Sequence, residues 1–452
     1  MNLDFLHQGT EQRRERILHG NILQTLLMLS MPTLMMSVIQ AMLPLSDGLF
    51  INNAAGTLVA SAVTYSEPVI NMMVALAQGI SVAAMAVIGQ ANGQGDFNKV
   101  RHISVQVVAF ASIIGICAAP LSALVAFPVS ANVDPEISHN VFLYISLYAF
   151  VLPFSFLESI YNAIKNATGK PEATFIRMVL LLVLKILFNI VFIVMLRLGI
   201  VGCILSSLFS NILICVWMFY ELFIKNGEDK LSLRGFRFDR DLIVRLVRIG
   251  IPAMLASLMM NLGFFLINNE TQKYGAVVLN GQGIANNITA VCFNLPAAFG
   301  SAVTTMVSIN IGAAQPENAK RSCRVGCVAS AVTALAIIAV IVPLSSHLTI
   351  LFTQRADVLD IANRALHIYT YSVVGFGVCM AVQGAFIGLG KTTVPLFLGI
   401  LRIWLLRYLF ILATEQSLQY YSVFWGNLFS NYMAAVISVV LILRVKWVST
   451  LT

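Results

Sequence analysis

Twelve apolar runs, each long enough to cross a lipid bilayer, constrain this 452-residue chain more than any other feature. A membrane-spanning helix needs about 20 predominantly apolar residues. Such runs occur at about 22–46, 58–90, 102–130, 138–164, 172–195 and 199–224, and again at about 246–269, 279–311, 323–353, 359–388, 394–413 and 420–443. The only long hydrophilic stretch in the interior, KNGEDKLSLRGFRFDRD at 225–241, separates the two sets of six. Strand-like alternation is absent, and without it only a helix satisfies its own backbone in lipid. The expected fold is an all-α integral membrane protein with twelve transmembrane helices in two six-helix bundles.

Composition excludes the soluble alternatives. Charged residues make up 11% of the chain and hydrophobic ones 58%, whereas an ordinary soluble domain is roughly 25% charged. A mean hydropathy of +0.85 leaves no room for a large soluble domain. A cytoplasmic enzyme, a nucleic-acid binder and a disordered scaffold are therefore set aside. The net charge of +8 instead marks one membrane face. With both termini inside, 21 of the 28 Lys and Arg fall on the inner side, including Arg13, Arg14, Arg16, Lys99, Arg101, Lys165, Lys170, Arg177 and seven around the linker. The outer connections hold few, such as Arg197, Lys273 and Arg355. Both termini are expected in the cytoplasm, with a bacterial inner membrane as the location. Residues 1–20 lack a small-residue cleavage site after their arginines, so the first span is expected to insert as its own signal.

Seven cysteines, nearly all inside apolar runs, read as small buried hydrophobes and not as a disulfide framework. Cys323 and Cys327 stand one helical turn apart, but no His or carboxylate lies close enough in sequence to complete a metal site. The six His lie mainly near helix ends or in loops, so no convergent catalytic set is visible and no enzyme is expected.

The two halves repeat. Pro32 in SMPTLMMS matches Pro252 in GIPAMLAS, Gly93 matches Gly312 in SINIGAAQPENAK, and Gly169-Lys170 matches Gly390-Lys391, all at offsets of about 220. Six spans per half is an even number, so the repeats are parallel, related by an axis along the membrane normal. The expected division is a cytoplasmic segment 1–20, an N-lobe 21–224, a linker 225–241, a C-lobe 242–446 and a tail 447–452. Two such lobes around a cavity that opens alternately to each side form the design of a transporter, and a monomer suffices for it. GAFIGLGKTT at 384–393 looks like a phosphate-binding loop, but Ala385 stands where its first Gly belongs and no strand precedes it. Its counterpart in the first half also ends an apolar helix, so the Gly-Lys pair reads as a helix-end feature. Without a nucleotide site, and with no cofactor expected, an ion gradient must supply the energy.

Several stretches resemble the multidrug and toxic compound extrusion (MATE) transporters: LSMPTLMMSVIQAMLPLSDGLFINNAAG in the first span, GQANGQGDFNKVR after the second, ATGKP after the fourth, LGIVG opening the sixth and NIGAAQPENAKR after the eighth. The resemblance covers about residues 22–445 and implies two six-helix bundles that extrude small molecules, amphipathic organic cations first among them, against H⁺ or Na⁺. The family's N-lobe coupling site has an Asp on the first helix, an Asn and an Asp four residues apart on the fifth, and a Thr on the sixth. Asp47, Asn189 and Ser207 fall on the first-helix Asp, the fifth-helix Asn and the sixth-helix Thr positions, while Ile193 replaces the fifth-helix Asp. The C-lobe carboxylates of the NorM-like branch are also replaced, by Met260 or Asn261 on the seventh helix and by Gly377 on the tenth. These departures favour H⁺ over Na⁺, which would have Asp47 and Asn189 as its remaining ligands, and they leave Asp47 as the principal coupling residue. The wider superfamily includes flippases for lipid-linked glycans, which would want a strongly basic cavity.

The residues point to the same region without the family. An ionisable group at mid-membrane costs on the order of 2.5–3.5 kcal/mol or more and asks for an explanation. Asp47 lies late on the first span. Lys185 sits in LLLVLKILFNI four residues before Asn189, on the same helix face, and needs a carboxylate partner. Asp47 is the first choice for that partner and Glu158, in FSFLESIYNA, the second. Glu67 precedes Pro68 on the second span, where a kink could turn it toward the cavity, and Asn268, Asn269 and Glu270 could line the C-lobe cavity or cap the seventh helix. Arg402 and Arg407 are five apart, so on an α-helix they do not share a face; one is expected at a cavity while the other snorkels to an interface. An arginine in the cavity counts against a purely cation-selective pump. Of the 18 Met, several cluster in MPTLMM, NMMVAL and ASLMMN, which suits either a polyspecific surface or plain helix packing.

Overall fold

The computed structural model describes residues 10–51, 57–131, 135–225, 230–234, 236–274, 276–350 and 356–448. Regular structure in these residues is entirely helical: α1 (Thr10–His19), α2 (Ile22–Phe50), α3 (Thr57–Gly93), α4 (Phe97–Ala131), α5 (Pro135–Tyr148), α6 (Leu152–Ala167), α7 (Pro171–Asn189), α8 (Gly199–Phe219), α9 (Arg240–Gln272), α10 (Ala276–Gly312), α11 (Pro316–Thr349), α12 (Ala356–Gly388), α13 (Thr393–Ile400), α14 (Leu409–Leu418) and α15 (Tyr421–Arg444). Three π-helical segments, Ile190–Met195, Tyr220–Ile224 and Leu401–Tyr408, extend α7 and α8 and join α13 to α14.

Among the described residues, eleven helices are long and apolar enough to cross a membrane, and the pair α5/α6, bent by 52°, makes a twelfth when taken as one span. The bend has a local cause. Pro153 occupies the first turn of α6, where its missing N–H is harmless but its ring cannot continue a preceding helix. Side chains such as Leu121, Val216, Val328 and Leu335 project from the spans fully apolar and exposed, as a lipid solvent demands.

The chain forms two compact units, one of Met1–Arg14 and Val38–Met254, the other of Glu15–Ser37 and Leu255–Thr452. These units differ from the lobes 21–224 and 242–446 at the opening helix of each repeat. Leu26 and Leu29, early on α2, are buried in the core of the second unit with Phe299, Val303 and Phe386. Gly250, early on α9, meets Gly79 of α3 in the first unit, where a Cβ on Gly79 would lie 2.6 Å from the Gly250 carbonyl oxygen.

The basic N-terminal segment is also more ordered than its composition announces. In α1, Arg13 donates to the Gly169 carbonyl (2.7 Å) and pairs with Glu172. Arg14 donates to the carbonyls of Asn92 (3.0 Å) and Gly93. These carbonyls end α3 and the turn after α6, where a cation is favoured by the unpaired C=O groups of a helix terminus.

The Gly-Lys pairs end helices in the same way. Gly169 and Gly390 have φ of +74° and +77°, and the following N–H groups reach back to Lys165 and Phe386 (2.8 and 2.9 Å) in the hydrogen-bond pattern of a glycine C-cap. The Lys391 ammonium donates to the Lys446 carbonyl, and burial pulls its pKa below the usual lysine value. In GAFIG the two glycines, Gly384 and Gly388, pack on α10: a Cβ on Gly384 would fall 2.1 Å from the Gly300 carbonyl oxygen, and Thr304 Oγ1 donates to the Gly384 carbonyl (3.0 Å). The segment that looks like a phosphate loop is thus a small-residue helix contact followed by a helix cap.

Candidate functional site

The first unit holds a buried acid–base triplet. Asp47 lies one turn before the end of α2, and Lys185 and Asn189 project from one face of α7. The Lys185 ammonium pairs with Asp47 Oδ2 at 2.5 Å, each side chain 16–17% accessible. Asn189 Nδ2 donates to the other carboxylate oxygen, Oδ1, at 2.9 Å. Asn189 is fully buried, and among the described residues its Oδ1 has no hydrogen-bond partner. The π-helical segment begins at the next residue, Ile190; such bulges concentrate at functional positions because they re-aim a helix face. Asp47, not Glu158, is therefore the carboxylate that balances Lys185.

The other N-lobe candidates stand apart from this triplet. Ser207 is buried, but its hydroxyl donates to the Cys203 carbonyl of its own helix (3.2 Å). Ile193 is fully buried among Ile51, Ile200 and Ile204, an apolar wall where the family pattern has a carboxylate. Glu158 pairs with Arg177 (2.7 Å), and Arg177 also donates to Asn162 Oδ1 (3.0 Å). Glu158 thus bridges α6 to α7, and Arg177, tallied above with a connection, is instead 2% exposed inside α7. A second bridge of the kind joins Lys165 to Glu221 (2.7 Å). The side chains of Glu67 and Asn268 lie outside the described residues.

The second unit holds a cavity of about 420 Å³, within the range of small-molecule sites. Arg402 and Arg407 both line it, each 6% exposed. The expectation that they diverge is wrong for a backbone reason. Leu401–Tyr408 is π-helical, and i→i+5 hydrogen bonding stacks residues five apart on one side of the helix. Arg402 Nη1 donates to Asn431 Oδ1 (3.0 Å), its guanidinium lies 5.0 Å from the centroid of Phe376, and its Nη2 is 3.8 Å from the Met260 sulfur. Arg407 lies 5.9 Å from the centroid of Tyr369. Met260 thus fills with a thioether the place where the family pattern has a Glu. At Gly377 a Cβ would come within 2.7 Å of Ser330 and Pro296, so this packing has no room for an Asp there. Glu270, a cavity candidate in sequence, is not among the lining residues. It pairs with Lys273 and accepts from the Tyr408 hydroxyl (3.3 Å) at the end of α9, the capping role.

Sequence reasoning missed the polar wall of this cavity. Gln282, Asn286 and Thr289 on α10 recur at helical spacing, as do Asn427, Ser430 and Asn431 on α15. That periodicity inside GQGIANNIT and GNLFSN was the available signal.

An all-helical chain with up to twelve candidate membrane spans, two sequence repeats and a polar site in each compact unit has the build of a multi-pass membrane transporter. The MatE family model matches twice, over residues 32–191 and 252–412, in register with the repeat. This chain belongs to the MatE family. It is 22% identical over 384 residues to the Bacillus subtilis protein named "Probable multidrug resistance protein YoeA", covering 82% of each. It is 20% identical over 432 residues to the Staphylococcus aureus multidrug export protein MepA, covering 93% of each. The fold matches the outward-facing structure of a multidrug resistance MATE family transporter of the MOP superfamily, with a TM-score of 0.89 and 22% identity, over 94% of this chain and 96% of that one.

Proposed function

We propose that the chain is a secondary active exporter of small organic compounds, an antiporter that draws on an H⁺ gradient through Asp47. Both termini are cytoplasmic in this reading, and one copy is the transporting unit. The observation that carries it is the Asp47–Lys185–Asn189 triplet, a carboxylate inside a unit of candidate membrane spans with an ammonium on one oxygen and an amide on the other. A proton on Asp47 cancels its charge and releases Lys185, while the unpartnered Asn189 Oδ1 offers an acceptor within the same cluster. A released ammonium in a low-dielectric interior is costly, so protonation shifts the balance between packing arrangements of α2 and α7.

Na⁺ fits these residues poorly. The Lys185 ammonium already occupies the carboxylate, Ser207 is turned to its own helix and Ile193 offers no oxygen, whereas a hard cation needs several oxygen ligands. The names of the Bacillus and Staphylococcus relatives support drug-like cargo. A flippase for a lipid-linked glycan remains the second reading, and the observation in its favour is the pair of buried arginines in the second unit.

The test is transport in proteoliposomes under separate pH and Na⁺ gradients, with the cation rhodamine 123 and the anion fluorescein as cargoes, comparing wild type with Asp47→Asn. Transport driven by the pH gradient and lost in the variant is the expected result. Transport driven by Na⁺ alone overturns the coupling ion, and movement of a labelled lipid-linked glycan without either dye favours the flippase.

A further inference from the structure

The two arginines of the second unit have no place in the coupling scheme, and their surroundings are unusual for buried cations. A guanidinium removed from water needs a paired carboxylate or a full set of acceptors. Among the described residues neither Arg402 nor Arg407 has a carboxylate within ion-pair distance. Arg402 spends one nitrogen on Asn431 and faces the ring of Phe376, and Arg407 faces the ring of Tyr369. The Nε of each is buried and, among the described residues, has no hydrogen-bond partner. Structural arginines, by contrast, find their acids in this same protein, as Arg177 finds Glu158 and Arg13 finds Glu172.

The geometry points to an anion-binding site: the cavity between α10, α15 and the π-helical turn takes the oxyanion of an amphiphile, a carboxylate, sulfonate or phosphate joined to an aromatic or apolar body. Three features converge on that chemistry. The two guanidiniums lie on one side of the π-helical turn and both reach the cavity, so an oxyanion between them would receive charge-assisted hydrogen bonds from both. Phe264, Phe293 and Phe376 supply apolar and aromatic walls for the body. Asn286 and Asn294 supply neutral polar contacts that impose no opposing charge. An organic cation entering the same cavity would meet two like charges with no carboxylate to receive it, which counts against the cationic cargo that the family resemblance implies. The inference deepens the exporter reading by naming the charge of its cargo, and it rests on that reading only for the direction of transport.

The experiment reads binding, without a gradient. Full-length protein in phosphatidylcholine nanodiscs is titrated into fluorescein and, separately, into rhodamine 123, which share a xanthene frame and differ in charge; fluorescence anisotropy is compared with empty nanodiscs. Saturable fluorescein binding, with rhodamine 123 weaker by about tenfold or more, is expected. Arg402→Gln and Arg407→Gln each weaken fluorescein by roughly tenfold, the scale of a lost charge-assisted hydrogen bond. Binding is read with no pH or Na⁺ gradient, so a failure of proton coupling and a failure of the anion site give different results. Displacement by dihexanoyl phosphatidic acid but not by benzoate assigns the site to a lipid headgroup, and displacement by benzoate assigns it to a free anion. Rhodamine 123 binding as tightly as fluorescein to wild type overturns the proposal whatever the variants do. So does fluorescein binding that neither arginine substitution alters.

Discussion

The Asp47–Lys185 pair makes a quantitative demand on stability. Two unit charges about 4 Å apart interact by about 4 kcal/mol at an effective dielectric near 20. Each side chain keeps 16–17% of its surface accessible, so solvent trims that figure. Removing one partner of a buried pair costs about 3–5 kcal/mol, because the other charge is stranded. Asp47→Asn strands the Lys185 ammonium and Lys185→Met strands the Asp47 carboxylate, and each is expected to cost about 3 kcal/mol. The double variant strands nothing and should cost about 2–3 kcal/mol, so the cycle returns a coupling energy of about 3–4 kcal/mol. The measurement is reversible unfolding in mixed dodecyl maltoside and SDS micelles, followed by circular dichroism at pH 7.5. A coupling energy below about 0.5 kcal/mol would refute the argument that these charges hold one another.

Glu158→Gln is expected to cost about 3 kcal/mol by leaving Arg177 buried and unpaired, and Glu158→Gln with Arg177→Gln to recover most of it in the same unfolding assay. Gly384→Leu should abolish folded, monodisperse protein in size-exclusion chromatography, since even a Cβ there meets the Gly300 carbonyl oxygen at 2.1 Å. Ala314 has φ of +58° where its repeat counterpart Gly95 has +77°, so Ala314→Gly relieves a left-handed alanine. A gain of about 0.5–1 kcal/mol is expected, read as a higher melting temperature, and a drop in melting temperature would show that no strain is stored there.

The spans were legible because lipid leaves a chain few options: runs of about 20 apolar residues must be helices, and their number and repeat follow from counting. The Asp47–Lys185 pair was legible for the same reason, since a lysine inside LLLVLKILFNI must find an acid and few acids lie at mid-span. What sequence could not carry was the backbone departure at Leu401–Tyr408. Helical periodicity assumes about 3.6 residues per turn, and on that assumption Arg402 and Arg407 diverge. The π-helical turn reverses the conclusion, and nothing in LRIWLLRY announces it. The docking of Arg13 and Arg14 onto helix ends was hidden similarly, because their partners are backbone carbonyls that every sequence possesses.

The two repeats have kept one backbone plan and divided its chemistry. Their helix caps agree to within a few degrees at Gly169 and Gly390, yet the charged residues occupy non-equivalent positions. An offset of about 220 carries Lys185 onto the apolar Trp404–Leu406, and carries Arg402 and Arg407 back onto the equally apolar Leu181–Val183 and Ile186–Phe188. Neither site is therefore a relic of the other. The first unit has an acid neutralised by a base, an arrangement whose net charge changes when one proton arrives. The second has two fixed cations that no physiological pH can discharge, since a guanidinium holds its proton. Under the proposed antiport, a proton would switch the first unit and leave the affinity of the second for an oxyanion to be set by geometry alone. The opening helix of each repeat is divided between the units: α2 carries Asp47 in the first unit and begins in the core of the second.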